Sequence, residues 1–314
     1  MTDLNKSQQF RNAIAAGCLD VAILAALAPG AATAQPSTRV NSPADGVPEA
    51  RLFLKYSGGP TMRHFGIAIG QDGLMYVLGG DAAAVGADGY VSRVTAAGNE
   101  QRYVAFKSVF VGPGVDIDEK GNLYIAGGDK LLKVGVGGKV DVLASGFRGA
   151  FDLRLGSKGN LYVADHREGR IYRLTPSLEK TLLVDYHLEP GEFIIGGIAF
   201  DKGGSHLYSY EAAKKTLWRY PIHADGTAGV PEVVAANAPS LFSFAVDNDG
   251  NVLGADFDKG EVVKIDQNGM VAYLTEHCGL KHPIGFRLGT SVFHPGAAFI
   301  ADDEGIKQIY LSER

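Results

Sequence analysis

The sequence predicts an all-β fold, a six-bladed β-propeller, and three observations carry this prediction. A β-rich stretch, a turn and a second β-rich stretch recur six times along the chain. The turn residues are separated by 38 to 48 residues, a period typical of propeller blades and longer than that of ankyrin or leucine-rich repeats. Glycine is abundant, at 42 of 314 residues, and helix-capping patterns are nearly absent.

Each repeat is predicted to form one four-stranded sheet. The second strand follows the turn and is rich in aromatic and β-branched residues, as in Leu123–Ile125 and Leu161–Val163. Third and fourth strands follow, as in Glu261–Ile265 and Val271–Leu274. The predicted turn residues are Gly73, Gly121, Gly159, Ser205, Gly250 and Gly296.

The ring is expected to close through an N-terminal strand. The last repeat, from Ile284, supplies only three strands, whereas an unassigned strand, Arg51–Tyr56, precedes the first full repeat. We expect this strand to complete the last blade. Closure of this kind removes the exposed sheet edges that a linear array would leave.

The first 34 residues are predicted to be a secretory signal. Val21–Ala28 is an uninterrupted apolar run, and Ala32–Ala34 forms a small-x-small cleavage site. Residues 35–49, which contain three prolines, are predicted to be a flexible linker to a propeller spanning residues 50–314. A periplasmic or secreted location is therefore expected, although the charged side chains ahead of the apolar run cancel to zero.

Composition excludes several classes of partner. The net charge is −5, and no basic stripe with interleaved aromatic residues is present, so nucleic acid is not an expected partner. After residue 35 no apolar run reaches the length needed to span a bilayer. The expected partner is a small-molecule substrate, and a protein partner is not excluded.

Several segments resemble a known family. Gly197–Asp201, Thr216–Pro221 and Ala224–Thr227 are similar to the fourth blade of the gluconolactonase and senescence-marker-protein family of six-bladed propellers. Gly121–Tyr124 and Gly159–Asp165 are similar to the blade core that this family shares with NHL repeats. The resemblance covers about residues 50–314 and is more specific for fold than for chemistry.

The resemblance implies hydrolysis of lactones and related esters by a divalent metal, usually calcium, at the top of the central channel. The family's ligands are Glu, Asn and Asp side chains at one fixed position ahead of the blade turns. A hard cation requires several oxygen ligands. The cofactor therefore stays unknown, because the corresponding positions here are Phe65, Pro113, Phe151, Gly196, Phe242 and Ile284.

The sequence instead predicts an apolar pocket floored by Phe65, Phe151 and Phe242, with polar groups converging on a small ligand. His64 and His282 come from the first and last repeats, which are neighbours in a closed ring. A paired-histidine or histidine–carboxylate set could act as general base and acid without a metal, or imidazoles could hold a transition metal. The predicted catalytic residues are His64, Asp152, His282 and Arg148, and the predicted substrate-binding residues are Arg63, Phe65, Phe151, Glu192, Phe193, Phe242 and Ser243.

A second set of charges, Asp116, Arg154 and Arg287, falls five residues ahead of the turns when small shifts between repeats are allowed. Charges on an inner strand need partners, because burying an unpaired charge is costly. Two interpretations stay open: an ion-pair cluster inside the ring, or a channel that binds a substrate carboxylate through arginine.

The family resemblance implies a hydrolase that acts on a lactone or related ester. The alternatives are a metal-independent lyase or isomerase, and a non-catalytic propeller that binds a protein or glycan. A buried site with convergent His, Arg and Asp would indicate catalysis, whereas an open polar face with exposed aromatic residues would indicate recognition.

Overall fold

The computed structural model describes residues 48–56, 62–81, 88–107, 112–187 and 195–311. The predicted signal and nearly all of the predicted linker lie outside these residues. The described chain consists of antiparallel strands and a single 3-10 turn, Ser157–Gly159, which confirms the all-β propeller prediction. No helix among the described residues is long and apolar enough to cross a membrane.

The described residues form 22 strands. In chain order these are β1 (Arg51–Lys55), β2 (Met62–Ile69), β3 (Met75–Asp81), β4 (Asp88–Val94), β5 (Glu100–Lys107), β6 (Val115–Ile117), β7 (Leu123–Val134), β8 (Val140–Leu155), β9 (Leu161–Asp165), β10 (Arg170–Leu174), β11 (Lys180–Asp185), β12 (Ile195–Phe200), β13 (His206–Glu211), β14 (Thr216–Pro221), β15 (Glu232–Ala235), β16 (Leu241–Val246), β17 (Val252–Asp256), β18 (Glu261–Ile265), β19 (Val271–Tyr273), β20 (Gly285–Thr290), β21 (Phe293–Asp302) and β22 (Gly305–Tyr310).

Hydrogen bonding groups the described strands into five sheets rather than the predicted six blades. Four sheets have four strands each: β2 to β5, β12 to β15, β16 to β19, and β20 to β22 with β1. The remaining sheet has six strands, β6 to β11. The sheets merge because β8 is continuous over 16 residues, from the predicted fourth strand of the second repeat into the predicted first strand of the third.

The N-terminal strand closes the ring as predicted. β1 pairs antiparallel with β22, so that Arg51 lies opposite Gln308 and Lys55 opposite Gly305. Leu54 of β1 is buried in the cluster that joins the first and last sheets, and the Phe53 ring lies 5.1 Å from that of Phe299. The terminal strand therefore completes both the hydrogen bonding and the core of the last sheet.

The innermost strands surround a central channel. Each inner strand contacts the next one around the ring, in the order β2, β6, β8, β12, β16 and β20, and β20 contacts β2. Six buried hydrophobic clusters fill the space between neighbouring strand sets around this ring. We call the end of the channel at which the inner strands begin the upper face.

Two of the predicted turn positions are wrong. In the fourth repeat the left-handed residue is Gly204 (φ 66°), one residue ahead of the predicted Ser205, because glycine adopts this conformation without steric cost. In the last repeat Thr290 pairs with Phe293, so the hairpin turn precedes the predicted Gly296, which has a left-handed φ of 77° where the register of β21 shifts.

Candidate functional site

Neighbouring inner strands approach closely at the upper face. A Cβ atom on Gly66 would lie 2.5 Å from the carbonyl oxygen of Pro113, and one on Gly285 would lie 2.3 Å from that of Phe65. Glycine is required at these positions because a side chain would collide with the neighbouring backbone. The predicted ring positions Phe65, within β2, and Pro113, two residues ahead of β6, therefore lie close together.

The residues at this face do not fit a calcium site of the kind that the resemblance implies. The six predicted ring positions carry aromatic, aliphatic, proline or glycine side chains, none with an oxygen donor. Calcium takes about six to eight oxygen ligands. Within the described part of the chain, no three His, Cys, Asp or Glu side chains are grouped so that they could hold a metal ion.

Asp152, predicted to be catalytic, is buried in an ion pair with Arg154. Its Oδ1 lies 2.6 Å from Arg154 Nη1, and its Oδ2 accepts the Ile198 N–H at 2.9 Å. Burial raises the pKa of Asp152, while the Arg154 charge and the Ile198 amide oppose this rise. Because the side chain is fully buried, Asp152 joins β8 to β12 and offers no surface to a ligand.

Arg287 of β20 reaches two other inner strands. Its Nε donates to the Ile67 carbonyl at 2.8 Å and its Nη2 to the Val115 carbonyl at 2.9 Å. Nη2 also lies 3.6 Å from Oδ1 of Asp116. Of the predicted inner-strand charges, Asp116 and Arg287 thus lie close to each other, whereas Arg154 pairs with Asp152, a residue predicted to be catalytic.

A histidine–aspartate pair lies at the upper face, between the last and first sheets. Nδ1 of His282 lies 2.7 Å from Oδ2 of Asp303, and the two side chains are 24% and 25% exposed. The Asp303 N–H donates to the Lys281 carbonyl at 2.9 Å, which ties the two loops together. His282 has a left-handed φ of 48° ahead of Pro283, where extended backbone is usual, so these contacts fix a strained residue.

Tyr56 contacts the turn that carries Asp303, and Arg63 lies against Tyr56. The Tyr56 hydroxyl donates to the Asp302 carbonyl, and burial together with the Asp303 charge raises the pKa of Tyr56. The Arg63 guanidinium lies 5.4 Å from the centre of the Tyr56 ring. We call Tyr56, Arg63, His282 and Asp303 the dyad cluster; it combines a base, a carboxylate, a phenol and a cation from three distant segments.

Aromatic rings extend from the dyad cluster across the upper face. The Phe257 ring lies 5.3 Å from that of His282 and 4.7 Å from that of Phe242, and the Phe242 ring lies 6.2 Å from that of Phe151. The three phenylalanines are almost fully buried, whereas Phe65 is half-buried. The structure therefore brings the predicted floor residues Phe151 and Phe242 together and adds Phe257 between them and His282.

His64 is not brought to His282. A bulge between His64 and Gly66 shifts the register of β2, and the His64 ring packs 4.7 Å from that of Tyr56 with no exposed surface. Its Nε2 lies 4.0 Å from Oε1 of Glu100, and neither ring nitrogen makes a hydrogen bond to a described residue. Burial, reinforced by Arg102 and opposed by Glu100, lowers the pKa of His64 to about 4.

The remaining predicted residues are dispersed. The side chain of Arg148 is exposed, and its backbone N–H donates to Asp165 at 2.8 Å. Ser243 is buried, and its hydroxyl donates to the Phe286 carbonyl at 3.4 Å. Glu192 and Phe193 lie outside the described residues.

Sequence reasoning missed Asp303, Tyr56 and Phe257. The run of acids at 302–304 reads as turn chemistry, and Asp302 has that role: it accepts the Glu304 and Lys281 N–H groups. Burial raises the pKa of Asp302 to about 6. Asp303 differs from Asp302 in that its side chain contacts the predicted His282, whereas the Asp302 side chain accepts backbone N–H groups.

Comparisons with known proteins agree with the fold. Residues 87–277 match the family model described as the SMP-30/Gluconolactonase/LRE-like region. A search of curated proteins finds no match to this sequence.

Solved structures with the same fold differ in function. A gluconolactonase from Xanthomonas campestris superposes with a TM-score of 0.67 at 13% identity, covering 88% of this chain and 99% of that one. Virginiamycin B lyase from Staphylococcus aureus gives a TM-score of 0.58 at 13% identity, covering 84% and 100%. An auxiliary nutrient binding protein from Bacteroides thetaiotaomicron gives 0.61 at 13% identity, covering 83% and 75%. At such identity these likenesses concern the fold alone.

Proposed function

The chain belongs to the SMP-30/gluconolactonase/LRE-like family, and from this membership we propose that it is a hydrolase of a lactone or related ester, acting at the upper face of the channel. The observation that carries the proposal is the partly exposed His282–Asp303 pair beside Arg63 and Tyr56. A histidine oriented by a carboxylate is a common general base in acyl transfer.

The geometry supports a reaction that uses only the chain's own residues. The ionised Asp303 accepts the Nδ1–H of His282, which leaves Nε2 as the basic nitrogen. Nε2 takes a proton from water while the water oxygen attacks the substrate carbonyl carbon. When the ring C–O bond breaks, the same proton passes to the departing alkoxide, and a hydroxy acid results. The Arg63 charge near the pair would stabilise the oxyanion of the tetrahedral intermediate.

No step is assigned to a metal. Calcium is implied by the family, but the positions that would supply its oxygen ligands are apolar here. Hydrolysis measured before and after chelation tests this point. Chelator-sensitive turnover with stoichiometric metal would contradict the metal-free reaction and would call for ligands other than the six predicted ring side chains.

The test of the base is His282→Gln, with lactone and ester turnover as the readout. We expect kcat to fall by about 10²–10⁴-fold, the usual contribution of a general base. The matched control is His277→Gln, which changes an exposed histidine that also has a left-handed φ. Turnover that survives His282→Gln at the level of the control would contradict the assignment.

A metal-independent lyase is the second candidate, because the same pair could remove a proton from carbon without water. Its support is the pair itself, because a partly exposed imidazole held by a carboxylate can act on a carbon-bound proton as well as on water. Reaction in ¹⁸O-labelled water separates the two: hydrolysis places the label in the product and elimination does not. Tight binding without any turnover would favour a recognition protein.

We also propose that the ring has six blades, with the six-stranded sheet counted as two. β8 pairs with β7 mainly through Val140–Ser145 and with β9 through Ala150–Leu155, so its two halves belong to different sets of strands. The left-handed Gly146 (φ 83°) lies between these halves and supports a break between two blades there. An experimental map in which β8 runs without a bend through Gly146 would contradict this count.

Export to the periplasm or exterior is a further proposal. Its support is the apolar run and small-residue cleavage pattern of the first 34 residues. N-terminal sequencing of the protein recovered from cell fractions tests it. A soluble cytoplasmic product that retains Met1 would contradict it.

A further inference from the structure

The backbone ahead of His282 is anchored to the end of strand β21. The Lys281 N–H donates to Oδ2 of Asp302 at 3.1 Å, and the Lys281 carbonyl accepts the Asp303 N–H at 2.9 Å. Both backbone polar groups of the residue that precedes the histidine are therefore held by two successive aspartates.

Asp302 links the two loops that form the histidine–aspartate pair. Its side chain is buried, and its Oδ1 accepts the N–H groups of Glu304 at 2.9 Å and Gly305 at 3.2 Å. These two bonds shape the turn after β21, which contributes the aspartate of the pair. The third bond, from Oδ2 to the Lys281 N–H, reaches the loop that contributes the histidine. Charge-assisted bonds of this kind are stronger than bonds between neutral groups.

His282 needs such an anchor because its backbone is strained. Its φ of 48° is left-handed, whereas a residue ahead of proline favours extended backbone. A strained residue persists only where the surrounding contacts hold it. If the Lys281 N–H lost its acceptor, the loop could relax toward the extended conformation and turn the imidazole away from Oδ2 of Asp303, which is 2.7 Å from Nδ1.

A carboxylate at the same place in the third repeat provides a comparison. Asp165 is the last residue of β9, as Asp302 is the last residue of β21. Asp165 is also buried, and its Oδ2 accepts the Arg148 N–H at 2.8 Å. The loop that it holds contributes no residue to the dyad cluster. Replacing Asp165 therefore disturbs an equivalent turn at a distance from His282.

We propose that Asp302 is a positioning residue for the proposed reaction. Through the Lys281 N–H it holds His282 in the backbone conformation that places Nδ1 against Asp303. Asp302 acts through the histidine, and no contact with the substrate is assigned to it. The inference rests on the proposed function for its effect on turnover, whereas its effect on the imidazole can be measured without substrate.

The test is Asp302→Asn, which keeps the size of the side chain but replaces the carboxylate by a neutral amide. In the unmodified protein at about pH 8, the ¹⁵N shifts of His282 should report a neutral ring with its proton on Nδ1, because Asp303 accepts that proton. Asp302→Asn should yield a mixture of the two tautomers. Its kcat for lactone or ester turnover should fall by about 10²-fold with KM nearly unchanged, as expected when a catalytic group is misplaced by about 1 Å. Asp165→Asn should retain both the tautomer and kcat.

The outcomes separate this inference from the proposed function. An unchanged tautomer in Asp302→Asn, or an equal loss of kcat in the two variants, would overturn the positioning role. A changed tautomer in a protein whose unmodified form turns over no lactone or ester would support the positioning role and contradict the hydrolase. If Asp302→Asn does not fold, hydrogen exchange at the Lys281 amide of the unmodified protein decides: protection as strong as in the neighbouring strands supports the anchor, and exchange at the rate of an exposed loop amide overturns it.

Discussion

Replacement of His64 by phenylalanine is expected to change how stability depends on acid. The His64 side chain has no exposed surface, and neither ring nitrogen is hydrogen-bonded to a described residue. Its pKa is lowered to about 4 from the ordinary 6.5, chiefly by burial. The folded protein therefore binds fewer protons at this site than the unfolded chain between pH 6.5 and 4.

The sign and size of this pH dependence follow from the linkage between proton binding and folding. The contribution of His64 is fully present above pH 6.5 and is lost as the pH falls from 6.5 to about 4. A shift of about 2.5 units at about 1.36 kcal/mol per unit gives a loss of about 3 kcal/mol across this window. His64→Phe should remove that loss and be nearly neutral at pH 7, because a ring of similar shape replaces a histidine with unsatisfied nitrogens.

Urea unfolding at pH 7, 6, 5 and 4 measures the effect as the difference between the variant and the unmodified protein. The raised pKa of Asp302 makes stability change with pH in the opposite direction in this window. This contribution is the same in both proteins and therefore cancels in the difference. The matched control is His187→Asn, which changes a histidine whose side chain is 88% exposed. An identical acid dependence for the unmodified protein and His64→Phe would refute the reasoning and would mean that folded His64 takes up its proton normally.

Two other substitutions and one deletion test the packing of the ring. Gly66→Ala should lower the free energy of unfolding by about 1–3 kcal/mol, because its Cβ would lie 2.5 Å from the Pro113 oxygen; Gly137→Ala, with no atom within 4 Å of its Cβ, should be nearly neutral in the same urea experiment. Arg154→Met should lower the free energy of unfolding by about 3–5 kcal/mol, because it leaves Asp152 buried without its cation. Adding Asp152→Asn to the same chain should recover part of this loss. Equal stability of the single and double variants would contradict the pairing. Removal of β1 should expose the edge of β22 and cause self-association detectable by light scattering; a monomer of unchanged Tm would contradict this.

The fold could be predicted from the sequence to a large extent because each repeat carries its own turn and strand signals. The closing role of β1 was predictable from counting strands. The sheet boundaries were not, because whether β8 bends or breaks between its two halves depends on hydrogen bonds to β7 and β9 that the sequence does not encode locally. The same limit explains the displaced turn at Thr290, whereas the turn at Gly204 follows from the conformational freedom of glycine, which is a local signal.

The site was predictable only in part, and the reason is geometric. His282 and Phe242 follow from their position at the start of a repeat, and the structure places both at the upper face. His64 occupies the matching position in the first repeat, but the bulge in β2 places its side chain against Tyr56 and Glu100. A bulge reverses which side of a strand a residue faces, and the residue types around His64 do not predict one.

The arrangement of charge separates two roles within one ring. Inside the channel, Asp152 and Asp116 are engaged by backbone amides and by arginines, so these carboxylates hold inner strands together. At the upper face, Asp303 contacts a histidine and stays a quarter exposed. A carboxylate that binds amides is a structural element, whereas one that orients a solvent-accessible imidazole can take part in proton transfer. On this criterion the His282–Asp303 pair, and not the predicted His64 or Asp152, is where catalysis should first be sought.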